Sequence, residues 1–304
     1  PIWINNPIWN IKRLNNIMMC YCGGGVISLR NLQNGTIRKF PMDDLEKENC
    51  IVPMGVNIFN IYTFMSKGSN DSIHIWDIKN KNHRVIQGNS NPNYRNKDYE
   101  GLLIKINDNK IAYSINNKNI CVYDLNEKTR HMFKGHQVLI TSLIKLNETT
   151  LISGDENGSL FSWKLDTNES VFLGKRNRSI QNILRMNDNI FISGSLDDYL
   201  ILWNLERGTI SYLDIECNAN STLFKYDENT FFSGSWGSTI CMWNIKQYLH
   251  KDHMEDGFEN LKSDEVNITT ICNQLKRTLN NPEGMNSVAH TDANESTEKR
   301  QRLE

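Results

Sequence analysis

Alanine is scarce in this sequence: only four of the 304 residues are alanine, whereas 42 are asparagine. Alanine is the best helix former and asparagine is a poor one, so the composition argues against a mainly helical protein. Long apolar runs are also missing. No run approaches the roughly 18 residues of a membrane-spanning helix, and the first ten residues lack the charged-then-apolar layout of a signal peptide. We therefore expect a soluble, intracellular protein that does not insert into a membrane.

The sequence has no excess of either charge, because 34 Lys and Arg stand against 35 Asp and Glu and the formal net charge is −1. A protein that coats nucleic acid would show a clear basic excess, so direct nucleic-acid binding is not expected. The seven cysteines are odd in number and scattered. They fit a reducing compartment, the cytoplasm or the nucleus, better than a disulfide framework.

The residues of a catalytic, metal or cofactor site do not occur together in the sequence. The run Gly23-Gly24-Gly25 is followed by strand-like residues, not by the helix that a phosphate-binding loop needs. Cys20 and Cys22 lack a second pair of ligands at metal-site spacing, and His250 with His253 is an isolated pair. We therefore predict that the protein is not an enzyme and carries no metal or other cofactor.

What the sequence does contain is an internal repeat. Six similar tetrads place their second residues at 30, 76, 123, 163, 203 and 243, so the last four are 40 residues apart. The tetrads are LRNL (29–32), IWDI (75–78), VYDL (122–125), SWKL (162–165), LWNL (202–205) and MWNI (242–245). A fixed period of this length is typical of architectures built from repeated structural units.

The residues before each tetrad repeat as well. Segments 152–163, 192–203 and 232–243 align without gaps, and each reads as a strand ending in Ser-Gly, a tight polar turn and an apolar strand ending in Trp. A further alternating strand lies upstream of each hairpin and a shorter one lies downstream. Four short antiparallel strands per unit of about 40 residues predict an all-β fold in which each unit is one blade of a β-propeller.

These features resemble the WD-repeat family over residues 2–247. The residues that carry the resemblance are Gly135-His136, the pair Trp76-Asp77, and the Ser-Gly pairs at 153–154, 193–194 and 233–234. The resemblance implies that a His, a Ser, an Asp and a Trp are linked by hydrogen bonds within a blade.

The match to this hydrogen-bonded set is partial. The fourth unit offers His136, Ser153 and Trp163, with Asn157 where the Asp is expected. In the fifth unit the candidates are Ser193, Asp197 and Trp203, and Arg176 stands in place of the His. In the sixth unit the candidate is Trp243. We expect the blades to fold with less polar cross-bracing than a consensus propeller has.

The number of blades is open, because six units are visible whereas the family most often has seven blades. In one reading, Ile2-Trp3-Ile4 supplies the outer strand that the last unit lacks and six blades close the ring. In the other, the chain is a fragment or a degenerate seventh blade follows residue 247.

The tail has a different character from the repeat. Residues 248–284 read as a linker and an amphipathic helix over 264–279, whose apolar residues are Ile268, Ile271, Cys272, Leu275 and Leu279. This apolar stripe either packs on the propeller or docks on a partner. Residues 285–304 have the composition of a disordered tail.

Candidate binding residues converge on one face, because the connections between units and the turns inside the Ser-Gly hairpins emerge together around the central channel. Two insertions lie there: residues 41–53 and residues 88–100. The predicted partner-binding residues are Asp43, Asp44, Tyr94, Arg95, Lys175, Arg176, Arg178 and Trp236. The basic cluster of three can clamp a carboxylate or a phosphate, and an exposed Trp is a frequent hot spot of protein interfaces.

The sequence therefore predicts a non-catalytic scaffold or recognition subunit that binds other proteins, in a multi-subunit complex. Two alternatives stay open: a substrate receptor of a ubiquitin ligase that reads acidic or phosphorylated peptides, and a propeller enzyme or small-ligand-binding module.

Overall fold

The computed structural model describes residues 8–23, 26–40, 53–68, 70–88, 102–197, 199–213, 220–235 and 239–249. These residues form β-strands with one short helix, and the strands assemble into six antiparallel sheets. The predicted all-β class is confirmed. Within every sheet the strand order follows the chain order, because each strand pairs with the one before it across a short turn.

Sheets one to three cover the first half of the described chain. Sheet one consists of β1 (Ile8–Arg13), β2 (Met18–Gly23), β3 (Val26–Asn31) and β4 (Ile37–Phe40). Sheet two consists of β5 (Pro53–Asn60), β6 (Thr63–Gly68), β7 (Ile73–Asp77) and β8 (Asn82–Ile86). Sheet three consists of β9 (Leu103–Lys105), β10 (Lys110–Ile115), β11 (Asn119–Asp124) and β12 (Arg130–Lys134).

Sheets four to six repeat this plan. Sheet four consists of β13 (Ile140–Asn147), β14 (Thr150–Asp155), β15 (Ser159–Lys164) and β16 (Ser170–Lys175). Sheet five consists of β17 (Ile180–Arg185), β18 (Ile190–Ser195), β19 (Leu200–Asn204) and β20 (Thr209–Leu213). The strands described for sheet six are β21 (Asn220–Lys225), β22 (Thr230–Ser235) and β23 (Ile240–Asn244), followed by helix α1 (Lys246–Leu249).

Successive sheets are neighbours through their first strands. Strand β1 contacts β5, β5 contacts β9, β9 contacts β13, β13 contacts β17, and β17 contacts β21. The first strands therefore lie side by side on the inside of the assembly while the later strands of each sheet extend outward. This arrangement is propeller-like.

Asparagine, the most conspicuous residue of the sequence, closes the turns between first and second strands. The side-chain oxygen of Asn107 accepts hydrogen bonds from the backbone N–H groups of Asn109 and Lys110, at 2.9 and 2.8 Å. Asn15, Asn60, Asn147, Asn187 and Asp227 accept such bonds in the other five sheets. Because Asn and Asp side chains stabilise turns in this way, part of the asparagine content has a structural cause.

In sheets two and three, the third residue of the repeated tetrad closes the turn between third and fourth strands. Asp77 accepts hydrogen bonds from the backbone N–H groups of Lys79 and Asn80, and Asp124 accepts them from Asn126 and Glu127. The N–H of Asn80 is the largest cause of a lowered pKa at Asp77, and the N–H of Glu127 is the largest cause at Asp124. Stabilisation from these carboxylates is therefore present at neutral pH and is lost as the pH falls through their pKa values in the folded protein.

Consecutive sheets pack face to face: the forward face of one sheet meets the backward face of the next. The forward face of sheet four meets the backward face of sheet five in one buried apolar cluster. Sheet four contributes Leu146, Ile152, Leu160 and Leu173, and sheet five contributes Ile180, Ile183, Phe191, Ile201 and Trp203. Apolar packing between consecutive sheets holds the assembly together, because each sheet alone would expose both faces.

Two glycines of the repeat mark places where no side chain fits. A Cβ at Gly154 would lie 2.5 Å from Cγ2 of Ile180 on the next sheet, and a Cβ at Gly135 would lie 2.8 Å from Cη2 of Trp163. Both distances are shorter than any ordinary carbon–carbon contact. The Ser-Gly and Gly-His pairs thus contain glycine because neighbouring side chains occupy the space of its Cβ.

Basic side chains on the first strands also tie consecutive sheets together. Lys105 Nζ donates to the carbonyl oxygen of Phe59 at 3.0 Å, and Lys145 Nζ donates to that of Ile106 at 2.5 Å. Lys225 makes the same bond to Met186. Lys105 and Lys145 also pair with Asp108 and Glu148, three residues later in the chain. Part of the charge balance of the sequence therefore consists of local pairs at sheet junctions.

The close approach at Gly154 gives a direct test of the packing between sheets four and five. Gly154→Ala is expected to destabilise the protein by about 1–3 kcal/mol, because the new methyl group overlaps Ile180 and one of the two sheets must move. Chemical denaturation followed by tryptophan fluorescence measures this change. A Cβ at Gly154 would also lie 2.7 Å from the Cβ of Ile180, so the matched variant must remove that atom too. The double variant Gly154→Ala/Ile180→Gly should lose no more stability than Ile180→Gly alone, and a further full loss in the double variant would contradict the assigned contact.

Candidate binding surface

The predicted binding residues divide into those that the structure describes and those that it does not. Lys175, Arg176 and Arg178 lie in described residues, at the connection between sheets four and five. Asp43, Asp44, Tyr94, Arg95 and Trp236 lie outside the described residues, as do Ile2-Trp3-Ile4, the helix predicted over 264–279 and the tail 285–304.

We call the end of the sheets where the connections between sheets meet the turns between second and third strands the loop end. Hydrogen bonds hold the connection 176–179 in place there. Arg176 N donates to the carbonyl oxygen of Gly158 at 2.9 Å, and Leu196 N donates to that of Ser179 at 3.1 Å. The hydroxyl of Ser195 donates to the carbonyl oxygen of Arg178 at 3.0 Å. A Cβ at Gly158 would lie 2.4 Å from the carbonyl oxygen of Arg176, so turn and connection are in direct contact.

Arg176 does not belong to an exposed basic cluster, and this part of the prediction is wrong. Its side chain is buried and pairs through two nitrogens with the carboxylate of Asp197, while a third hydrogen bond reaches the carbonyl oxygen of Tyr199 at 3.0 Å. Arg176 thus occupies the position of His136 in the preceding sheet and binds a carboxylate of its own sheet. A buried guanidinium paired with a carboxylate in this way is not presented at the surface to clamp a ligand, although its Nη1 has no hydrogen-bond partner among the described residues.

Lys175 and Arg178 remain as the exposed cations of the connection. They flank buried Arg176, so the ion pair with Asp197 fixes the backbone on which both are carried. Their role in binding stays a prediction. The observed geometry supplies two exposed positive side chains in place of the three that were predicted.

The hydrogen-bonded set of sheet four is complete, with one correction to its membership. The indole N–H of Trp163 donates to Ser153 Oγ at 2.7 Å, Ser153 Oγ lies 2.6 Å from Nε2 of His136, and Nδ1 of His136 lies 2.7 Å from the carboxylate of Asp155. The carboxylate is Asp155, not a residue at the place of Asn157. Asp155 sits at the end of β14 facing His136, whereas Asn157 lies in the turn and its backbone N–H donates to Asp155 at 3.0 Å.

The contacts Ser153–His136–Asp155 have the order of a hydrolase triad, yet they cannot act as one in this environment. In a triad the serine hydroxyl is accessible and its oxygen attacks the substrate. Here Ser153 and His136 are buried, and the serine oxygen already accepts the proton of the Trp163 indole. The set therefore joins the second and third strands of the sheet to the connection that precedes it.

Sheets five and six keep only part of this set. The indole N–H of Trp203 donates to Ser193 Oγ at 2.9 Å, and that of Trp243 donates to Ser233 Oγ at 2.8 Å. In sheet two, the buried indole nitrogen of Trp76 has no hydrogen-bond partner among the described residues. The ring of Trp76 instead stacks on His83 with centroids 3.7 Å apart, so this tryptophan contributes by packing.

A buried hydrogen bond between Lys67 of sheet two and Ser114 of sheet three was not predicted from the sequence. Lys67 occupies the place of Gly154, and its Nζ donates to Ser114 Oγ on the next sheet at 2.7 Å and lies 3.2 Å from Asp71. Lys67 and Ser114 are fully buried, so this Ser–Lys contact is closed to a substrate. Burial likewise raises the pKa of Tyr113 and of the Cys121 thiol, so both are neutral.

Other kinds of site receive little support from the described part of the chain. A polar cleft of about 440 Å³ lies beside Arg185, Asp188, Lys225 and Glu228, and it lacks the apolar lining that most small-molecule sites have. The described residues hold no group of three or more His, Cys, Asp or Glu side chains placed to bind a metal ion. They also include no helix with the length and apolarity needed to cross a membrane.

The double role of Ser153 predicts graded effects of three equivalent substitutions. Ser153→Ala should destabilise the protein by about 2–3 kcal/mol because Trp163 and His136 both lose a buried partner. Ser193→Ala removes one such bond and should destabilise by about 1 kcal/mol, and Ser233→Ala, at a partly buried bond, by less. Urea unfolding measures all three variants, and equal losses at the three positions would contradict the assignment.

The ion pair of Arg176 gives a second test. Asp197→Ala should destabilise the protein by about 3 kcal/mol because it leaves a buried guanidinium without its anion, whereas Lys175→Met should change stability by less than about 0.5 kcal/mol. The double variant Arg176→Met/Asp197→Leu should recover most of the loss. If Asp197→Ala is as stable as Lys175→Met, the buried pair does not exist in solution.

Comparison with known proteins supports the fold alone. No family model and no curated protein matches the chain. Among solved structures 1532 chains match, so the architecture is a common one. One of them is the crystal structure of the computationally designed Ika8 protein, which is 18% identical, aligns over 80% of this chain and 85% of that chain, and gives a TM-score of 0.57. The chain is similar to this protein in the arrangement of its sheets.

Proposed function

We propose that the chain is a β-propeller of the WD-repeat type that acts as a non-catalytic protein-interaction module. The observation that carries this proposal is the link from Trp163 through Ser153 and His136 to Asp155, which joins the Gly-His pair before sheet four to the Trp of its tetrad. The repetition of the Trp–Ser bond in sheets five and six supports the same interpretation. Six described sheets correspond to the six units of the sequence.

The interaction surface that we propose is the loop end. Its backbone is braced by hydrogen bonds between turns and connections, including one from Ile140 to Asn117 on the preceding sheet at 2.8 Å. A surface that is rigid before binding loses little conformational freedom when a partner docks. Lys118, Lys175 and Arg178 are exposed there.

A recognition role for acidic or phosphorylated peptides is the second candidate, and the pair Lys175 and Arg178 favours it. Both side chains are exposed cations on a connection that Arg176 and Asp197 hold in place. Charge-assisted hydrogen bonds to carboxylates or phosphates are about twice as strong as neutral ones. The enzyme alternative has less support, because the two hydroxyl–base contacts described above, at Ser153 and Ser114, are buried.

Cross-linking tests the location of the interaction surface. Partners purified with the chain from its native cell and treated with an amine-reactive cross-linker should be joined mainly to Lys118 and Lys175 at the loop end. Lys110 and Lys128, which are equally exposed at the opposite end of sheet three, serve as the internal control. Cross-links concentrated on Lys110 and Lys128 would place the interaction surface at the end opposite the loop end and would contradict the proposal.

Charge reversal tests the peptide-reading candidate separately. Lys175→Glu/Arg178→Glu should weaken binding of acidic or phosphorylated peptides by at least ~10-fold, since two favourable charges become repulsive. Lys39→Glu/Lys128→Glu makes the same change of net charge at exposed positions on other sheets and should leave binding unaltered. Fluorescence anisotropy with a phosphopeptide library measures both, and equal affinities would reject this candidate while leaving the interaction module intact.

A further inference from the structure

The end of the sheets opposite the loop end, which we call the turn end, carries two turns in every sheet. One turn joins the first and second strands, and the other follows the third strand. A backbone hydrogen bond links the two turns in all six sheets, so the residues of the first turn are equivalent from sheet to sheet. Its donor and acceptor are Leu32 and Ile17, Ile78 and Tyr62, Leu125 and Asn109, Leu165 and Thr149, Leu205 and Asn189, and Ile245 and Asn229.

Three positions around the first turn are polar in sheets three to six and apolar in sheet two. In sheets three to six, a basic residue is followed three positions later by a carboxylate, and the next residue is Asn or Thr. These groups are Lys105-Asp108-Asn109, Lys145-Glu148-Thr149, Arg185-Asp188-Asn189 and Lys225-Glu228-Asn229. Sheet two has Ile58, Ile61 and Tyr62 at the same positions, and sheet one has Ile17 at the third of them.

The apolar residues of the two sheets meet at one junction. Asn15 of sheet one accepts a hydrogen bond from the backbone N–H of Ile17 at 2.9 Å, and its Nδ2 donates to the carbonyl oxygen of Ile61 at 3.0 Å. Ile58 packs against the apolar cluster between the two sheets. We call Ile17, Ile58, Ile61 and Tyr62 the turn-end patch. Between sheets five and six, the counterparts of these four residues line the polar cleft described above: Asn189, Lys225, Glu228 and Asn229.

The turn-end patch is exposed although the fold does not require apolar residues there. Ile61 is 59% exposed, Tyr62 is 44% exposed and Ile17 is 38% exposed. The patch lies between sheets one and two, not on the faces of sheets six and one that a closed ring brings together. Polar residues occupy the same positions in four other sheets, so the apolar ones have no general structural cause. Adjacent exposed apolar side chains mark an interaction surface.

The charges around the turn-end patch are positive. In the turns of sheets one and two that surround it, all of which the structure describes, the cations are Arg13, Lys79 and Lys81, and each is exposed. Lys79 Nζ lies 5.4 Å from the centroid of the Tyr62 ring. The one carboxylate in these turns is Asp77, and it accepts hydrogen bonds from the backbone of its own turn. A second copy of the chain would bring like charges together here, whereas a partner with carboxylates is complementary.

We propose that the turn-end patch binds a segment of a partner protein in which apolar side chains are flanked by Asp or Glu. The apolar side chains of the segment contact Ile17, Ile61 and Tyr62, and its carboxylates pair with Arg13 and Lys79. The receiving backbone is held in place before binding by the hydrogen bonds of Asn15, so docking orders few protein groups. This surface is separate from the loop end and does not depend on binding there.

Selection from a random peptide library displayed on phage, with the immobilised full-length chain as target, tests the proposal. The enriched peptides should combine apolar residues with neighbouring Asp or Glu. Ile61→Glu should weaken their binding at least ~10-fold in fluorescence anisotropy, because it places a negative charge in the apolar contact. The variant should keep its denaturation midpoint, since Glu148 and Glu228 occupy the same position in sheets four and six.

Two matched variants control for general effects. Phe172→Glu makes the same kind of change at an apolar residue of sheet four that is 40% exposed, and it should leave peptide binding unaltered. Lys175→Glu/Arg178→Glu should also leave it unaltered, because these residues lie at the loop end. The second control separates a failure of this proposal from a failure of the proposed loop-end surface.

Three results would overturn the proposal. The first is a selection in which no enriched peptide loses affinity for Ile61→Glu, since the turn-end patch then binds no such segment. The second is enrichment of peptides without Asp or Glu whose affinity is unchanged in Arg13→Gln/Lys79→Gln, since the positive rim then has no role. The third is self-association of the chain that Ile61→Glu abolishes, since the patch then binds a second copy.

Discussion

The packing of each sheet's forward face on the backward face of the next is the contact on which the rest of this structure depends. It recurs along the chain, and it explains why the repeat contains small residues at fixed places. Gly154 has no side chain because Ile180 of the next sheet occupies that space. Apolar packing of this kind supplies most of the stability, because a single four-stranded sheet with two open faces would be marginal. Any partner surface at the loop end is rigid only as long as these contacts hold.

Polar groups add directional contacts to this apolar packing, within the sheets and between them. The Trp163–Ser153–His136–Asp155 link joins two strands to the connection before them, and Arg176 with Asp197 does the same in the next sheet with different chemistry. Lysines on the first strands bind carbonyl oxygens of the preceding sheet and carboxylates of their own turn. Most charged groups discussed above therefore have structural partners, and Lys175 and Arg178 stand out because they are exposed at a braced connection.

The sequence predicted the repeat unit, the all-β fold class and most members of the hydrogen-bonded set. It could do so because the 40-residue period and the Ser-Gly…Trp spacing follow directly from strand geometry. It could not distinguish Asp155 from Asn157 as the partner of His136, since that choice depends on a turn whose side-chain directions are set in three dimensions. It placed Arg176 both at the His position of the fifth unit, in a set with Asp197, and in a basic cluster that binds a partner. The observed ion pair agrees with the first placement, and the burial of Arg176 contradicts the second. The sequence showed a high asparagine content but did not predict that Asn15, Asn107 and Asn187 close turns. Their regular position before each second strand could have revealed this role.

Proton–proton distances across consecutive sheets test the central claim most directly. In a methyl-labelled sample, the γ2 methyl group of Ile180 should give a nuclear Overhauser effect to the α protons of Gly154, because a Cβ at that glycine would lie 2.5 Å from the methyl carbon. Ile152 and Ile183 belong to the same buried cluster and should show related contacts between their methyl groups. If Ile180 gives no such effect to Gly154 while strand pairing within sheet four is intact, the sheets do not stack in the order described.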